Sequence, residues 1–314
     1  MGDDSFSKLL YILRMKNIKL WLILTLLLFT ALQNSYAESK VRQGILHPYG
    51  LLWKIEKQGM EDSYLYGTMH VGDPRVVNLA PEVERAFMQA DHFVMEVLMN
   101  FKAMGYMASA SFFSDGRTLK DVMGHLEYKR LTSLVNKRIF LSEDVLKHMK
   151  PWAVLMLLMM PADQQAQSGA ALDMVLYRRA SQRKVKLTGL ETAQEQVAVF
   201  ESMSMDDQLW MLNRSIEEID NTDAQLPEML NAYVGRDLAQ LVRIQQAFMY
   251  DDSEVDDRFM HQLLDVRNVK MAKRISPVLT QGNAFIAIGA LHLPGEEGVL
   301  HLLEQQGYEV TPIY

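Results

Sequence analysis

The chain has 314 residues, 49% of them hydrophobic and 23% charged, a balance that builds a folded globular protein and excludes disordered and fibrous polymers. Its 39 acidic and 32 basic residues give a formal charge of −7, so no basic field is available for a phosphate backbone and nucleic acid is not an expected partner. Cys is absent, which removes disulfides, thiolate metal sites and Cys nucleophiles and leaves His, Asp, Glu, Ser, Thr, Tyr and Lys for chemistry.

Residues 20–32 read LWLILTLLLFTAL, preceded by Lys16 and Lys19 and followed by Ser35-Tyr36-Ala37. A positive flank, a short apolar stretch and a small-x-small ending form a secretory signal peptide pattern, and the stretch is shorter than the ~20 apolar residues of a membrane span. Cleavage is expected after Ala37, with Met15 as an alternative start, and the product is expected in the periplasm or secreted, without a stable membrane anchor. Removing 1–37 takes away four basic and two acidic side chains, leaving 277 residues with a formal charge of −9. Residues 38–314 contain no Pro/Gly/Ser-rich linker and are expected to form a single domain.

Short apolar segments bounded by turn residues predict strands over 51–56, 64–69, 92–97, 185–189, 284–290 and 308–314. Helical patterns fall at 80–90, 119–140, 142–149, 152–160, 171–182, 195–203, 205–219, 222–232, 237–250, 256–274 and 295–306. Strands at both ends with helices massed between them predict an α/β fold. Its central mixed β-sheet is expected to be flanked by helices and to carry a large helical insertion at about 100–250. Two stretches echo each other: Gly67-Thr68-Met69-His70 and Gly289-Ala290-Leu291-His292 each read strand, Gly-x-x-His, helix, strand. They predict two βαβ-like half-repeats whose histidines stand beyond the carboxyl ends of strands, where ligands collect in open α/β sheets.

The paired histidines are the main chemical signal. A Gly without Cβ lets the strand end turn sharply or approach a ligand closely, and two such copies aim His70 and His292 at one cleft. Glu96 ends the apolar run His92-Phe93-Val94-Met95, where a carboxylate is either paired with a base or binds something at the strand's end. Two imidazoles and a carboxylate make a metal site with open positions, and mixed nitrogen and oxygen ligands suit manganese, cobalt, iron or zinc. Arg267 reads equally as a buried partner of Glu96 or Glu191 and as a group that stabilises an oxyanion. Glu191 is open as general base or outer ligand, whereas Thr192 and Glu195 read as a helix capping box.

Tyr64-Leu65-Tyr66-Gly67-Thr68-Met69-His70, Met95-Glu96, Gly189-Leu190-Glu191-Thr192, Leu264-Asp265-Val266-Arg267-Asn268 and Ile288-Gly289-Ala290-Leu291-His292-Leu293-Pro294-Gly295 together resemble the TraB/GumN family over essentially the whole chain beyond residue 37. That family is similar to the Tiki-like metalloproteases and to erythromycin-esterase-like and ChaN-like folds. The resemblance implies a divalent metal, manganese or cobalt favoured, with His70, Glu96 and His292 as ligand candidates and Arg267 as a buried cation beside them. It implies a metal-dependent hydrolase acting on a peptide or protein. The rival reading is a noncatalytic ligand-binding or assembly protein of the cell envelope. A link to polysaccharide production finds no sugar-nucleotide motif to support it.

The Met-rich run at 152–160 predicts a buried helix, and the acidic stretch at 251–257 lacks the Gly and terminal Glu of a calcium loop. No Gly-x-Ser-x-Gly elbow, Walker loop or dinucleotide fingerprint is present.

Overall fold

The computed structural model describes residues 44–139, 141–159, 171–248 and 254–314, and those from His47 on form one compact unit. The expected leader and its cleavage point lie outside the described residues.

Six strands form one sheet: β1 Leu52–Glu56, β2 Ser63–Thr68, β3 His92–Met95, β4 Lys186–Gly189, β5 Ala284–Gly289 and β6 Glu309–Pro312, in the order β4-β3-β5-β2-β1-β6. The first four in that order run parallel, and β1 is antiparallel to both β2 and β6, so the sheet is mixed. The helices around it include α1 Pro81–Gln89, α2 Phe101–Ala110, α3 Pro151–Met159, α4 Leu172–Arg183, α5 Ala193–Glu201, α6 Val266–Gln281 and α7 Val299–Gln305.

The residues explain the placement. β5 reads AFIAIG with its first five residues buried, a continuous apolar run suited to a central parallel strand covered on both faces. Phe87 of α1 meets Phe93 of β3 and Phe285 of β5 edge-on, at ring centroid distances of 5.9 and 5.4 Å, which seats α1 on the sheet. The connection from β2 through α1 to β3 passes over β5, and that from β5 through α7 to β6 passes over β2 and β1. A second hydrophobic core lies among the intervening helices, built around Leu119, Leu131, Leu146, Trp152, Leu158 and Leu212.

Several boundaries differ from the sequence expectation for identifiable reasons. The helix expected over 119–140 is two, because Gly124 takes φ +88° between Leu119–Met123 and His125–Arg138. Helix α2 was not expected: its apolar stripe, Ala103, Tyr106, Met107 and Ala110, is only half-buried, the last three against the second core, and exposed Phe101 and Met104 and the interior Gly105 blur it. The helix expected over 256–274 begins at Glu254, passes through a π turn at His261–Asp265 and continues as α6 beyond Pro277 to Gln281. The final helix starts at Val299 rather than 295, since Gly295 is at φ +91° and the turn before it closes tightly on Gly298. Helix α3 matches its expected place, burying Trp152, Val154, Leu155 and Leu158 while leaving Met156 and Met159 exposed.

The sheet order sets the site. Thr68 of β2 is in register with Gly289 of β5, and Met95 of β3 with Ala287 of β5. The chain therefore leaves β4, β3, β5 and β2 along one edge, where Glu191, Glu96, His292 and His70 follow in turn.

Candidate functional site

Glu96, the first residue after β3, is held on two sides. Its Oε1 accepts the backbone N–H of Gly289 at 2.7 Å, and its Oε2 accepts Arg267 Nη2 at 2.6 Å and Gln196 Nε2 at 3.2 Å. Arg267 also engages both oxygens of Glu191 through Nε and donates to Glu191 Oε2 through Nη2 at 2.7 Å, while Nη1 donates to the Leu263 carbonyl at 3.1 Å. Both expected partners are thus bound at once, by three of the five guanidinium donors, with a fourth on the Leu263 carbonyl. The Glu191 side chain is only 1% exposed and its charge is spent on Arg267. Arg274, further along α6, donates to the Leu190 carbonyl and to Glu195, which fixes the turn after β4. The capping box expected of Thr192 and Glu195 is formed, starting α5 at the position from which Gln196 reaches Glu96.

His292 is buried at the end of the tight turn Ala290–His292 after β5. Its Nδ1 stands 2.6 Å from Asn268 Oδ1 and its Nε2 stands 3.8 Å from Glu96 Oε1. His70 is different: its ring is 70% exposed, and its Nδ1 lies 2.6 Å from Asp173 Oδ2 at the start of α4. The other oxygen of Asp173 accepts the Thr68 hydroxyl at 2.7 Å. Tyr233, buried, donates to the Gly67 carbonyl at 2.9 Å and pins the exit of β2 from another side.

The two glycines act through space rather than through unusual torsions, since neither has a positive φ. A Cβ on Gly67 would stand 2.7 Å from Leu293 Cδ1 and 3.2 Å from the Ala290 Cα, so this Gly admits the turn that carries His292. A Cβ on Gly289 would stand 3.3 Å from Glu96 Oε1 and 3.4 Å from His292 Cδ2. Gly67 thus makes room for the turn of the second Gly-x-x-His, and Gly289 for the carboxylate beside it, a mutual fit that a single motif does not convey.

The model of the TraB/PrgY/gumN family matches residues 51–312, the stretch that builds the sheet and all the residues just described. The chain belongs to the TraB/PrgY/gumN family. Among curated proteins it is similar to Metalloprotease TIKI1 of Danio rerio, 24% identical over 82% of this chain and 62% of that protein. It is similar also to Metalloprotease TIKI2 of Xenopus tropicalis, 24% identical over 82% and 59%, and to Metalloprotease TIKI1 of Homo sapiens, 23% identical over 87% and 63%. The chain spans about three fifths of the length of these relatives. No solved structure matches it.

In this family member the electrostatics of the site follow from burial and its charges. Burial opposes ionisation of Glu96, but His292, Arg267 and His70 and the Gly289 N–H together hold its carboxyl down to about 2. Burial pushes His292 down to about 4, so its ring is neutral at ordinary pH. Asp173 draws His70 up to about 9, with Glu96 adding to the effect. Glu96 and Glu191 share the Arg267 guanidinium while Asp173 faces His70, so three carboxylates stand against two cations with His292 neutral, a small excess of negative charge.

Among the described residues no three His, Asp or Glu side chains already converge in a metal-holding cluster. The donor chemistry nonetheless fits a divalent cation. Both imidazoles have Nδ1 occupied, and the surrounding charge favours a cation. Asp173, Asn268, Gln196 and Tyr233 complete the site and were not singled out from the sequence. Asn268 was in view beside Arg267, and its place one residue along the same helix was the available signal.

Proposed function

We propose that this chain is a divalent-metal-dependent hydrolase of the metallopeptidase kind, with His70, Glu96 and His292 as the residues that hold the ion. The observation that carries the reading is the placement, just beyond the carboxyl ends of three adjacent parallel strands, of two imidazoles and one ionised carboxylate, with His292 Nε2 3.8 Å from Glu96 Oε1. The naming of the relatives as metalloproteases supports it. A bound ion of this class polarises a substrate carbonyl and acidifies water.

The chain's own groups then have separable tasks. His292, neutral and buried, offers a nitrogen donor from the dry side, and His70 offers one from the solvent side. Glu96 supplies negative charge between them while Arg267 and the Gly289 N–H fix both its oxygens. Glu191 positions Arg267, a role its geometry favours over that of general base. Manganese or cobalt is the preferred ion, with zinc and iron as alternatives, and a peptide or protein is the substrate class. The apolar stretch before Ala37 acts as a cleaved secretory leader, so the protein works in the periplasm or outside the cell. No helix among the described residues is long and apolar enough to cross a membrane.

The test is hydrolysis of a peptide library by metal-stripped protein reloaded separately with manganese, cobalt and zinc, beside the His70→Ala/His292→Ala double variant. Metal-dependent cleavage lost in the variant supports the reading. Cleavage equal in both contradicts it.

One observation favours a second reading, a noncatalytic ligand-binding protein of the cell envelope: Glu96, Glu191 and Asp173 are each already engaged, so none is a free general base. Metal binding without turnover on any library member would favour it.

A further inference from the structure

The two site histidines are held alike although they come from different strands and differ in exposure. Each has Nδ1 against an oxygen of a side chain from a flanking helix, Asp173 of α4 for His70 and Asn268 of α6 for His292, both at 2.6 Å. Each of those side chains is locked by a second hydrogen bond. Thr68 donates to the far oxygen of Asp173, and Asn268 Nδ2 donates to the Glu297 carbonyl at 2.8 Å.

The second bond at Asn268 decides a question of chemistry. A backbone carbonyl only accepts, so the Asn268 amide nitrogen must face Glu297 and its oxygen must face His292. An amide oxygen likewise only accepts, so the proton of neutral His292 must sit on Nδ1. Nε2 is then left with a bare lone pair, and Nε2 is the atom on the Glu96 side of the ring. A carbonyl, an amide and an imidazole thus form a chain with a single consistent polarity, set by the backbone of the turn before α7.

We propose that Asn268 is a positioning residue that selects the Nδ1-protonated tautomer of His292 and so presents Nε2 as a ready donor, while Asp173 orients His70 through the same ring nitrogen. The inference rests on the metal-binding reading for its purpose but not for its test. Metal-ligating imidazoles are commonly oriented by such a partner on the other nitrogen, and losing that partner weakens binding about 10- to 100-fold. The buried member of the pair has a neutral amide as its partner and the exposed member a carboxylate. That division follows from the cost of burying a further charge beside Glu96 and Glu191.

The experiment is long-range proton–nitrogen correlation spectroscopy of the imidazoles in the metal-free protein at neutral pH. It is applied to wild type, Asn268→Asp and Asn268→Leu, each also titrated with manganese, cobalt and zinc. Wild type should show His292 protonated on Nδ1 with Nε2 bare, and Asn268→Asp, which keeps an acceptor, should still carry a proton on Nδ1. Asn268→Leu should shift the proton toward Nε2 and lose about 10- to 100-fold in metal affinity while its circular dichroism stays that of wild type. Nε2-protonated His292 in wild type overturns the proposal, as does an Asn268→Leu variant unchanged in both proton position and affinity. If Asn268→Leu does not fold, the wild-type and Asn268→Asp spectra still decide. If no metal binds to wild type, only the metal-binding reading fails, because the tautomer is read without metal.

Discussion

Gly289 donates its backbone N–H to Glu96 Oε1 at 2.7 Å, joining residues 193 positions apart and tying the end of β5 to the end of β3. This bond makes the second Gly-x-x-His part of the carboxylate's own anchorage. A Cβ at Gly289 would press on both Glu96 Oε1 and His292 Cδ2. Gly289→Ala is therefore expected to weaken metal binding measured by calorimetry more than it lowers stability measured by urea denaturation.

Gly67→Ala should behave in the opposite way. Its Cβ meets Leu293 Cδ1 at 2.7 Å inside a fully buried contact, so the cost is one of overpacking, about 1–3 kcal/mol in urea denaturation. Combining it with Leu293→Ala, which opens space at that contact, should cost less than the sum of the two single changes.

Removing Arg267 strands two carboxylates. Glu96 and Glu191 are both buried and both depend on its guanidinium, so Arg267→Ala is expected to lose about 3–5 kcal/mol, again read by urea denaturation. Arg267→Lys should recover little, because an ammonium does not reproduce the fork that serves both acids at once.

Metal affinity should depend on pH through His70. Its folded value of about 9 lies above the unfolded one, so protonation stabilises the fold most fully below pH ~6.5, and that contribution is lost as pH rises through 9. A cation competes with that proton. Affinity should therefore climb by up to about tenfold per pH unit from pH ~6.5 and level off beyond 9. His292, at about 4, adds no slope in that range. Calorimetric titration across the range checks this, and a flat profile would contradict it.

The fold and the site were legible to different depths. β5, β2 and β3 announced themselves as apolar runs with turn residues at their ends, and the paired Gly-x-x-His segments located the edge of the sheet where the site residues gather. The Arg267 pairing was visible as two alternatives, and the structure makes it both at once. The insertion of β5 between β2 and β3 is a long-range pairing with no local signal. Asp173 was hidden for the same reason: an acid in the first turn of α4 reads as an ordinary helix-start residue, and its partners lie 103 and 105 positions away. Helix α2 was missed because its stripe of Ala103, Tyr106, Met107 and Ala110 is interrupted by exposed apolar Phe101 and Met104 and by Gly105, which dilute the period.

Acid should loosen the turn that carries Glu191. Arg274 and the capping of Thr192 hold Glu195 down to about 2, so its contribution is present in full above pH ~4.3 and lost as pH falls toward 2. Thr192→Ala, which removes the cap, is expected to cost about 1 kcal/mol and to flatten this acid limb in denaturation measured at several pH values.

That His70, Glu96 and His292 together hold one divalent ion is open to a direct count. Bound metal per chain is measured on protein stripped and reloaded with manganese, cobalt or zinc, beside the His70→Ala/His292→Ala double variant. About one ion per chain in wild type and none in the variant is the expected result. Equal occupancy in both, or none in either, would contradict it.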